Sequence, residues 1–258
     1  MLKIGFLVST ILLHMSYASI PLDIDCNYYT TKFNILGKIY HCEVTNVLNI
    51  TSPLDATITS MNGSHELDKT NNDVIGFKVD GKGTEYFPQY LQEFFPNLKL
   101  IMIENGRIKE IHQSDLKPFP ELVSLDLWEN DIEVLDEGLF DFNPKLAGFW
   151  IFHNKIFHVD YQVFDNLSKL IYIDMFMNVC IDKMGSYSKS AVQQVVDYAK
   201  MYCQDKEYMR ITGELSALEH EVTVLSTKIQ RFLNDNMRLA RSVSIVERLN
   251  KLRKYVQE

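Results

Sequence analysis

Histidine and cysteine are the residue types in this chain that most often build catalytic or metal sites. His153 and His158 are the closest histidine pair beyond residue 18, and a spacing of five residues on a strand-and-turn segment is not a usual pairing for zinc. The sequence contains no GxSxG motif, no glycine-rich phosphate loop and no HExxH motif. We therefore expect no catalytic residues, no metal site, no cofactor and no enzyme activity.

Whether the four cysteines form disulfides depends on the compartment of the protein, and the N-terminal sequence predicts that compartment. Lys3 precedes an apolar run over residues 4–13, and Ser16-Tyr17-Ala18 forms a small-x-small cleavage pattern. These features predict a signal peptide over 1–18 and a secreted, extracellular protein. A membrane anchor is the alternative, but a span needs about 20 apolar residues, so we expect no membrane span.

An oxidising compartment makes two disulfides the default for an even set of cysteines. The four are Cys26, Cys42, Cys180 and Cys203, which allow three pairings on paper. N-glycosylation is predicted at three Asn-x-Ser/Thr sequons, at Asn49, Asn62 and Asn166. The formal net charge of -8 becomes about -9 when Lys3 is removed with the signal peptide, and no basic stripe is present, so nucleic acid is not an expected partner.

One pattern of apolar residues recurs at a step of 24 residues. Its clearest copy reads Leu122-x-x-Leu125-x-Leu127-x-x-Asn130-x-Ile132. Further copies begin at Val74, Leu98, Leu146 and Leu170. A single turn of this kind cannot bury its apolar face alone, so several must stack. The pattern predicts an α/β leucine-rich-repeat solenoid over residues 74–180, with short parallel strands on its concave face; the alternative is an α/β domain with coincidental leucines.

Two other positions of the repeat have predictable roles. The asparagine at Asn130, Asn154 and Asn178 is expected to hydrogen-bond the backbone where the chain leaves the strand, forming a ladder between turns. Phenylalanines on the return segments, at Phe119, Phe140 and Phe164, are expected to fill the core from the convex side.

Both ends of a repeat stack expose its core and need caps. Residues 19–73 predict an N-terminal cap of short strands, and residues 181–205 predict a helical C-terminal cap. One helix face there would carry Val192, Val195, Val196, Ala199 and Tyr202. Because the two ends of a rod do not meet, we favour one disulfide per cap, Cys26–Cys42 and Cys180–Cys203.

Residues 206–258 predict a long C-terminal α-helical coiled coil, because apolar residues recur with a heptad period. The predicted core positions are Ile211, Leu215, Leu218, Val222, Leu225, Ile229, Phe232, Asn236, Leu239, Val243 and Val246. β-branched residues with leucine in these positions favour two parallel strands, and a core asparagine sets the register. The partner could be a second copy or a different chain, and a single helix folded back on the solenoid is the alternative.

The concave face is the predicted ligand site. Strand positions that do not point into the core gather five aromatic residues, Trp128, Trp150, Phe152, Tyr172 and Phe176. Exposed aromatic clusters mark binding surfaces, so we expect a protein ligand here. Asp126, Glu129 and Asp174 could rim the cluster and favour a partly basic partner. The alternative is that the aromatic rings only stack on one another or are covered by the C-terminal cap.

This order of parts resembles the secreted insect leucine-rich-repeat proteins with a C-terminal coiled coil, of the mosquito leucine-rich-repeat immune protein type. The resemblance implies an extracellular immune recognition factor that dimerises through its coiled coil and engages thioester-containing complement-like proteins. This chain has fewer clear repeats and no further cysteine in residues 206–258. We accordingly expect a secreted recognition protein of innate immunity, with an extracellular matrix or adhesion protein as the alternative.

Overall fold

The structure is a computed structural model, which describes residues 21–204, 218 and 222–228. The chain divides into two units, residues 1–204 and 205–258. The predicted signal peptide, residues 1–18, lies outside the described residues. So do eight of the predicted coiled-coil core positions, which are Ile211, Leu215, Ile229, Phe232, Asn236, Leu239, Val243 and Val246.

Short strands make up most of the regular structure of the first unit. In chain order the strands are β1 (Leu22–Phe33), β2 (Gly37–Val44), β3 (Ile58–Asn62), β4 (Gly76–Asp80), β5 (Leu100–Glu104), β6 (Ser124–Asp126), β7 (Val134–Leu135), β8 (Gly148–Trp150), β9 (His158–Val159), β10 (Tyr172–Asp174) and β11 (Met184–Ser186). The helices are α1 (Leu91–Phe94), α2 (Gln113–Leu116) and α3 (Lys189–Tyr202), with 3₁₀ turns at Pro53–Ala56 and Asn71–Asp73.

The main sheet has the strand order β11-β10-β8-β6-β5-β4-β2-β1-β3. Strands β4, β5, β6, β8 and β10 are parallel neighbours, and every aligned pair is 24 residues apart, as in Ile101 beside Leu125 and Leu125 beside Phe149. The predicted parallel solenoid is therefore present, and the weak first copy at Val74 contributes a strand of the same register. On the return side, β7 and β9 form a second, two-stranded sheet.

The repeat pattern describes the core. Leu125, Leu127, Phe149 and Ile151 have no exposed surface. The return-segment phenylalanines pack against them, since the ring of Phe140 lies 5.1 Å from that of Phe149. Phe119 and Phe164 are also buried, so these side chains fill the core from the convex side as predicted.

The repeat asparagines join consecutive turns. The Asn154 Oδ1 atom accepts the backbone N–H of Ile132 at 3.0 Å, and its Nδ2 donates to the carbonyl oxygen of Leu127 at 2.9 Å. Asn130 and Asn178 make the equivalent bonds to their own preceding turns. The predicted ladder is confirmed, and it satisfies backbone groups that stacking would otherwise bury without partners.

The N-terminal cap is a hairpin with longer strands than the short ones predicted. β1 and β2 pair antiparallel, and the Cys26–Cys42 disulfide joins them. β2 also pairs in parallel with β4, with His41 beside Gly76. The cap therefore continues the repeat sheet by adding hydrogen-bonded strands to it.

The C-terminal cap contains a strand that the sequence pattern did not predict. β11 pairs antiparallel with β10 and leads into α3, where Ser188 caps the N-terminus. The helix buries Val192, Val195, Val196 and Ala199 and ends at the Cys180–Cys203 disulfide. Tyr202 was predicted on the buried face, but it is 58% exposed, because its ring stacks beside Tyr198 at the helix end.

Replacing Asn154 by alanine should lower the free energy of unfolding by about 2–3 kcal/mol, because the Ile132 N–H and the Leu127 carbonyl would lose a buried partner. Urea unfolding monitored by circular dichroism measures this loss. Lys155→Ala is the matched control, since the Lys155 side chain is 59% exposed and only pairs with Asp131. Equal losses of unfolding free energy in the two variants would contradict a stabilising role for the asparagine ladder.

Candidate ligand-binding face

The strand register arranges the outward side chains of the main sheet in three columns. The first column contains His41, Gly76, Leu100, Ser124, Gly148 and Tyr172. The second contains Glu43, Lys78, Met102, Asp126, Trp150 and Asp174. The third contains Asp80, Glu104, Trp128, Phe152 and Phe176, which follow the second column by two residues. We call these three columns the concave face.

The five predicted aromatic residues lie on this face, and four of them stack in pairs. The rings of Trp128 and Phe152 are 5.1 Å apart and nearly parallel, at 5°. Those of Trp150 and Tyr172 are 4.5 Å apart at 25°. The stacked rings are half-buried, whereas Phe176 is 47% exposed. Stacking therefore occurs, as the alternative interpretation held, and it leaves apolar ring surface facing solvent.

Phe176 extends this surface toward the C-terminal cap. A groove of about 550 Å³ runs between Phe176 and α3, and Met184, Val195 and Tyr198 also line it. Lys183 lies over the ring of Tyr198, 4.5 Å from its centroid. The cap therefore borders the aromatic surface, and Phe176 stays open to solvent.

The turn of the N-terminal hairpin covers part of the concave face. This hairpin tip comprises residues 33–36, and between it and the face lies a partly open cavity of about 80 Å³ lined by Asp126 and Trp150. Gly148 permits the contact, because a Cβ atom there would collide with both Ile35 and the Trp150 ring. The repeat pattern did not predict this cover; the only signal was the pair of apolar residues Ile35 and Leu36 in a turn.

Two carboxyl groups of the second column are buried without an ionic partner. Asp126 and Asp174 flank Trp150 and are each 9% exposed. Burial, followed by the nearby Glu104 charge, raises the pKa of Asp126 to about 8, and burial likewise raises the pKa of Asp174.

The contacts of these carboxyl groups are local. Each accepts one backbone N–H two residues ahead, from Trp128 at 3.3 Å for Asp126 and from Phe176 at 3.1 Å for Asp174. No ion pair within residues 21–204 includes either carboxyl, and Lys78 pairs with Glu43 at 3.3 Å. Of the predicted rim, Glu129 alone is well exposed, 3.9 Å from His153 Nδ1.

The two histidines do not form a site together. His158 is 3% exposed in β9, whereas His153 lies in the turn after β8 with a half-exposed side chain. Across the described residues, no group of three or more His, Cys, Asp or Glu side chains could hold a metal ion. No helix in that part of the chain has the length and hydropathy needed to cross a membrane.

The predicted glycosylation residues all lie away from the three columns. Asn49 follows β2, Asn62 ends β3 at the far edge of the main sheet, and Asn166 lies in the last return segment. All three are exposed. A glycan at any of them would leave the concave face uncovered.

The repeat architecture agrees with a comparison of sequences. Residues 120–179 match the family model of the leucine rich repeat. This stretch contains β6, β8 and β10, and the same 24-residue register extends back to β4. Residues 120–179 are therefore leucine-rich repeats, and the strands from β4 onward share their register. No curated protein matches its sequence.

Several solved structures are similar to this chain in part. The TLR13–ssRNA13 complex has a TM-score of 0.40 at 22% identity, over 47% of this chain and 18% of that one. An internalin, inlF, from Listeria monocytogenes has a TM-score of 0.34 at 15% identity, over 58% and 42% of the two chains. Internalin C2 from the same organism has a TM-score of 0.29 at 18% identity, over 44% and 59%. This chain spans less than two thirds of each of them.

The buried carboxyl of Asp126 should make stability depend on pH. The folded state holds a proton on Asp126 up to about pH 8, whereas the unfolded chain releases it near the ordinary value of 3.8. Stability should therefore fall as pH rises between these values, by about 1.4 kcal/mol per pH unit. Asp126→Asn should remove this slope and be more stable than the parent at pH 8.

Urea unfolding at pH 5, 6.5 and 8 measures the slope for both proteins. Asp160→Asn is the matched control, because Asp160 makes the same type of bond, to the Gln162 N–H at 2.9 Å, on the opposite side of the solenoid. If the parent and Asp126→Asn lose stability in parallel over this range, the carboxyl is ionised in the folded protein.

Proposed function

We propose that this chain is a secreted recognition protein that binds a protein ligand on its concave face and assembles through its C-terminal heptads. The observation that carries the proposal is the aromatic surface formed by Trp128, Phe152 and Phe176 beside the Trp150–Tyr172 stack. Large rings held by neighbouring rings lose little conformational entropy on binding and release much apolar area, which is why aromatic residues dominate interface energetics.

An extracellular location is part of the proposal. The signal-peptide pattern of residues 1–18 supports it, as do the two disulfides, which persist in oxidising compartments. The three exposed sequons fit the same location, and their positions leave the concave face accessible. Within that setting we propose a role in innate immunity, which rests on the resemblance to secreted insect leucine-rich-repeat immune proteins.

Assembly through a coiled coil is the second part of the proposal. Residues 222–228 are helical, and the heptad residues Leu218, Val222 and Leu225 are exposed at 58%, 64% and 55% in the single chain. Apolar side chains repeated along one side of a helix favour burial against a partner. We propose a second copy as that partner, and a different chain is the other outcome of the test below.

Replacing Trp128 and Phe152 together by alanine should weaken binding of a protein ligand at least about tenfold, because the solvent-facing part of this half-buried stack supplies central contact area. The ligand is first isolated from extracellular fluid on the immobilised full chain, and surface plasmon resonance then measures its affinity for each variant. Phe142→Ala with Tyr161→Ala is the matched control, since these exposed aromatic residues lie outside the concave face.

An equal loss in the concave and control variants, or no loss in the concave variant, would remove the support for this surface as the binding site. A parent protein that stays bound only to insoluble extracellular material would instead favour the matrix or adhesion role.

Val222→Glu with Leu225→Glu should abolish self-association of the full chain, because two charges would enter the heptad core. Light scattering of the secreted protein measures the molar mass. Val224→Glu is the matched control, since Val224 is an exposed apolar residue of the same helix outside the predicted core. A parent of monomeric mass would exclude the self-dimer and direct the search to a different chain.

A further inference from the structure

We propose that the cavity between the hairpin tip and the concave face receives the cationic head group of an arginine or lysine side chain of the protein ligand, with the Asp126 carboxylate as its ionic partner. This inference deepens the proposed function and rests on it, since it names the chemistry that the concave face recognises. Three features of the site support it: the Asp126 carboxyl has no ionic partner, the Trp150 ring lines one side, and the cavity has room for a head group.

The carboxyl of Asp126 lacks the partner that buried acids usually have. It is 9% exposed, and its one hydrogen bond is to the Trp128 N–H. An acid this deeply buried either keeps its proton or is paired with a cation or a metal ion. Lys78, the nearest cation of the second column, is engaged by Glu43, so a ligand cation would be the ionic partner of Asp126 once its carboxyl is ionised.

The walls of the cavity suit a cation and disfavour an anion. Trp150 forms one side, and the faces of tryptophan rings attract ammonium and guanidinium groups. The remaining lining residues are Phe33, Asn34, Ile35, Leu36, Leu100, Met102 and Ser124, none of which carries a charge. Glu104 and Asp174 make the surroundings more negative, because both carboxyl groups act on Asp126.

The volume of the cavity limits what can enter. It measures about 80 Å³, and one water molecule occupies about 30 Å³ in the liquid. The space is therefore sufficient for a single ammonium or guanidinium head group beside Asp126 and Trp150. The hairpin tip and the Trp150 ring would enclose the head group from both sides.

The experiment titrates the full chain with N-acetyl-arginine methylamide at pH 8.5, where the Asp126 carboxyl is ionised, and reads tryptophan fluorescence. Trp128 and Trp150 are the two tryptophans of the sequence, and both lie on the concave face, so the signal originates there. We expect a saturable change with half-saturation at about 1–10 mM, because a single head group makes few contacts and binds weakly. The citrulline analogue, which has the same shape without the charge, should bind at least about tenfold more weakly.

Lysine methylamide derivatives separate the two head groups. N-acetyl-lysine methylamide should also bind, and its Nε-acetylated form should not, because acetylation removes the charge. Binding of the arginine probe alone would restrict the site to guanidinium, whereas binding of neither charged probe would overturn the proposal.

Asp126→Asn should weaken binding of the arginine probe at least about tenfold, because the ionic partner is lost. Asp160→Asn serves again as control, since Asp160 makes the same local bond outside the concave face. Folding of both variants is checked by circular dichroism. If Asp126→Asn binds the probe as the parent does, the cation site is wrong, while the Trp128 and Phe152 variants still decide separately whether the concave face binds a protein.

The pH dependence of binding provides a second readout. Four titratable groups face Asp126, namely Glu104 on β5, Asp174 and Tyr172 on β10, and Lys78 on β4; the hairpin tip adds none. Asp126 must release its proton to pair with a cation, and its pKa of about 8 places that step above neutrality. Arginine stays charged throughout, so affinity should rise from pH 6 to 8.5; a flat profile would contradict Asp126 as the partner.

Discussion

The structure depends on one constraint: a single repeat cannot bury its own apolar side chains or pair its own backbone hydrogen-bonding groups. Each turn presents an apolar strip and unpaired backbone groups to the next, and both are satisfied only when the turns stack in one register. Asn154 is an example, because its side chain hydrogen-bonds the backbone of Ile132 and Leu127 in the preceding turn. The constant step of 24 residues places the same position of each turn beside its equivalent in the next.

The same register determines the chemistry of the outward surface. Neighbouring strands lie about 4.8 Å apart, so residues at one repeat position stack whether or not their side chains are compatible. Trp128 and Phe152 benefit from this spacing, with rings 5.1 Å apart. For carboxyl groups the close packing of the columns is unfavourable: burial raises the pKa of Asp126 most, and the charges of Glu104 in the third column and Asp174 two strands away raise it further. A repeat protein thus gathers like groups, which makes its face selective for a complementary ligand.

Periodicity predicted the parts of the molecule that obey the repeat. Strands β4, β5, β6, β8 and β10, the asparagine ladder, the phenylalanine packing and the aromatic columns all follow from residues at a constant step. Placing a cap at each end also predicted both disulfide pairings correctly. These features were accessible because one local rule, applied repeatedly, specifies them.

Features that arise between segments distant in sequence were not predictable. β11 has no repeat partner, and only its pairing with β10 defines it. The turn residues Glu129, His153 and Met177 adopt left-handed φ angles of 54–56° without being glycine or asparagine. Tertiary hydrogen bonds hold them there, such as Glu129 N–H to the Phe152 carbonyl. The types of these three residues do not indicate the conformation, and the one sequence signal is Asn105, which adopts it at the equivalent position of the preceding turn.

The hairpin tip is the clearest example of this second kind of feature, and it explains why the concave face is not uniform. Gly148 leaves a gap between Ser124 and Tyr172 in the first column, and Ile35 and the Trp150 ring occupy that gap. The cover buries Trp150 and Asp126 more deeply than a bare sheet would. It leaves Phe152 and Phe176 outside, so the face is divided into a partly covered pocket that contains Asp126 and an open aromatic surface. A ligand that satisfies both must place a charged side chain next to an apolar one.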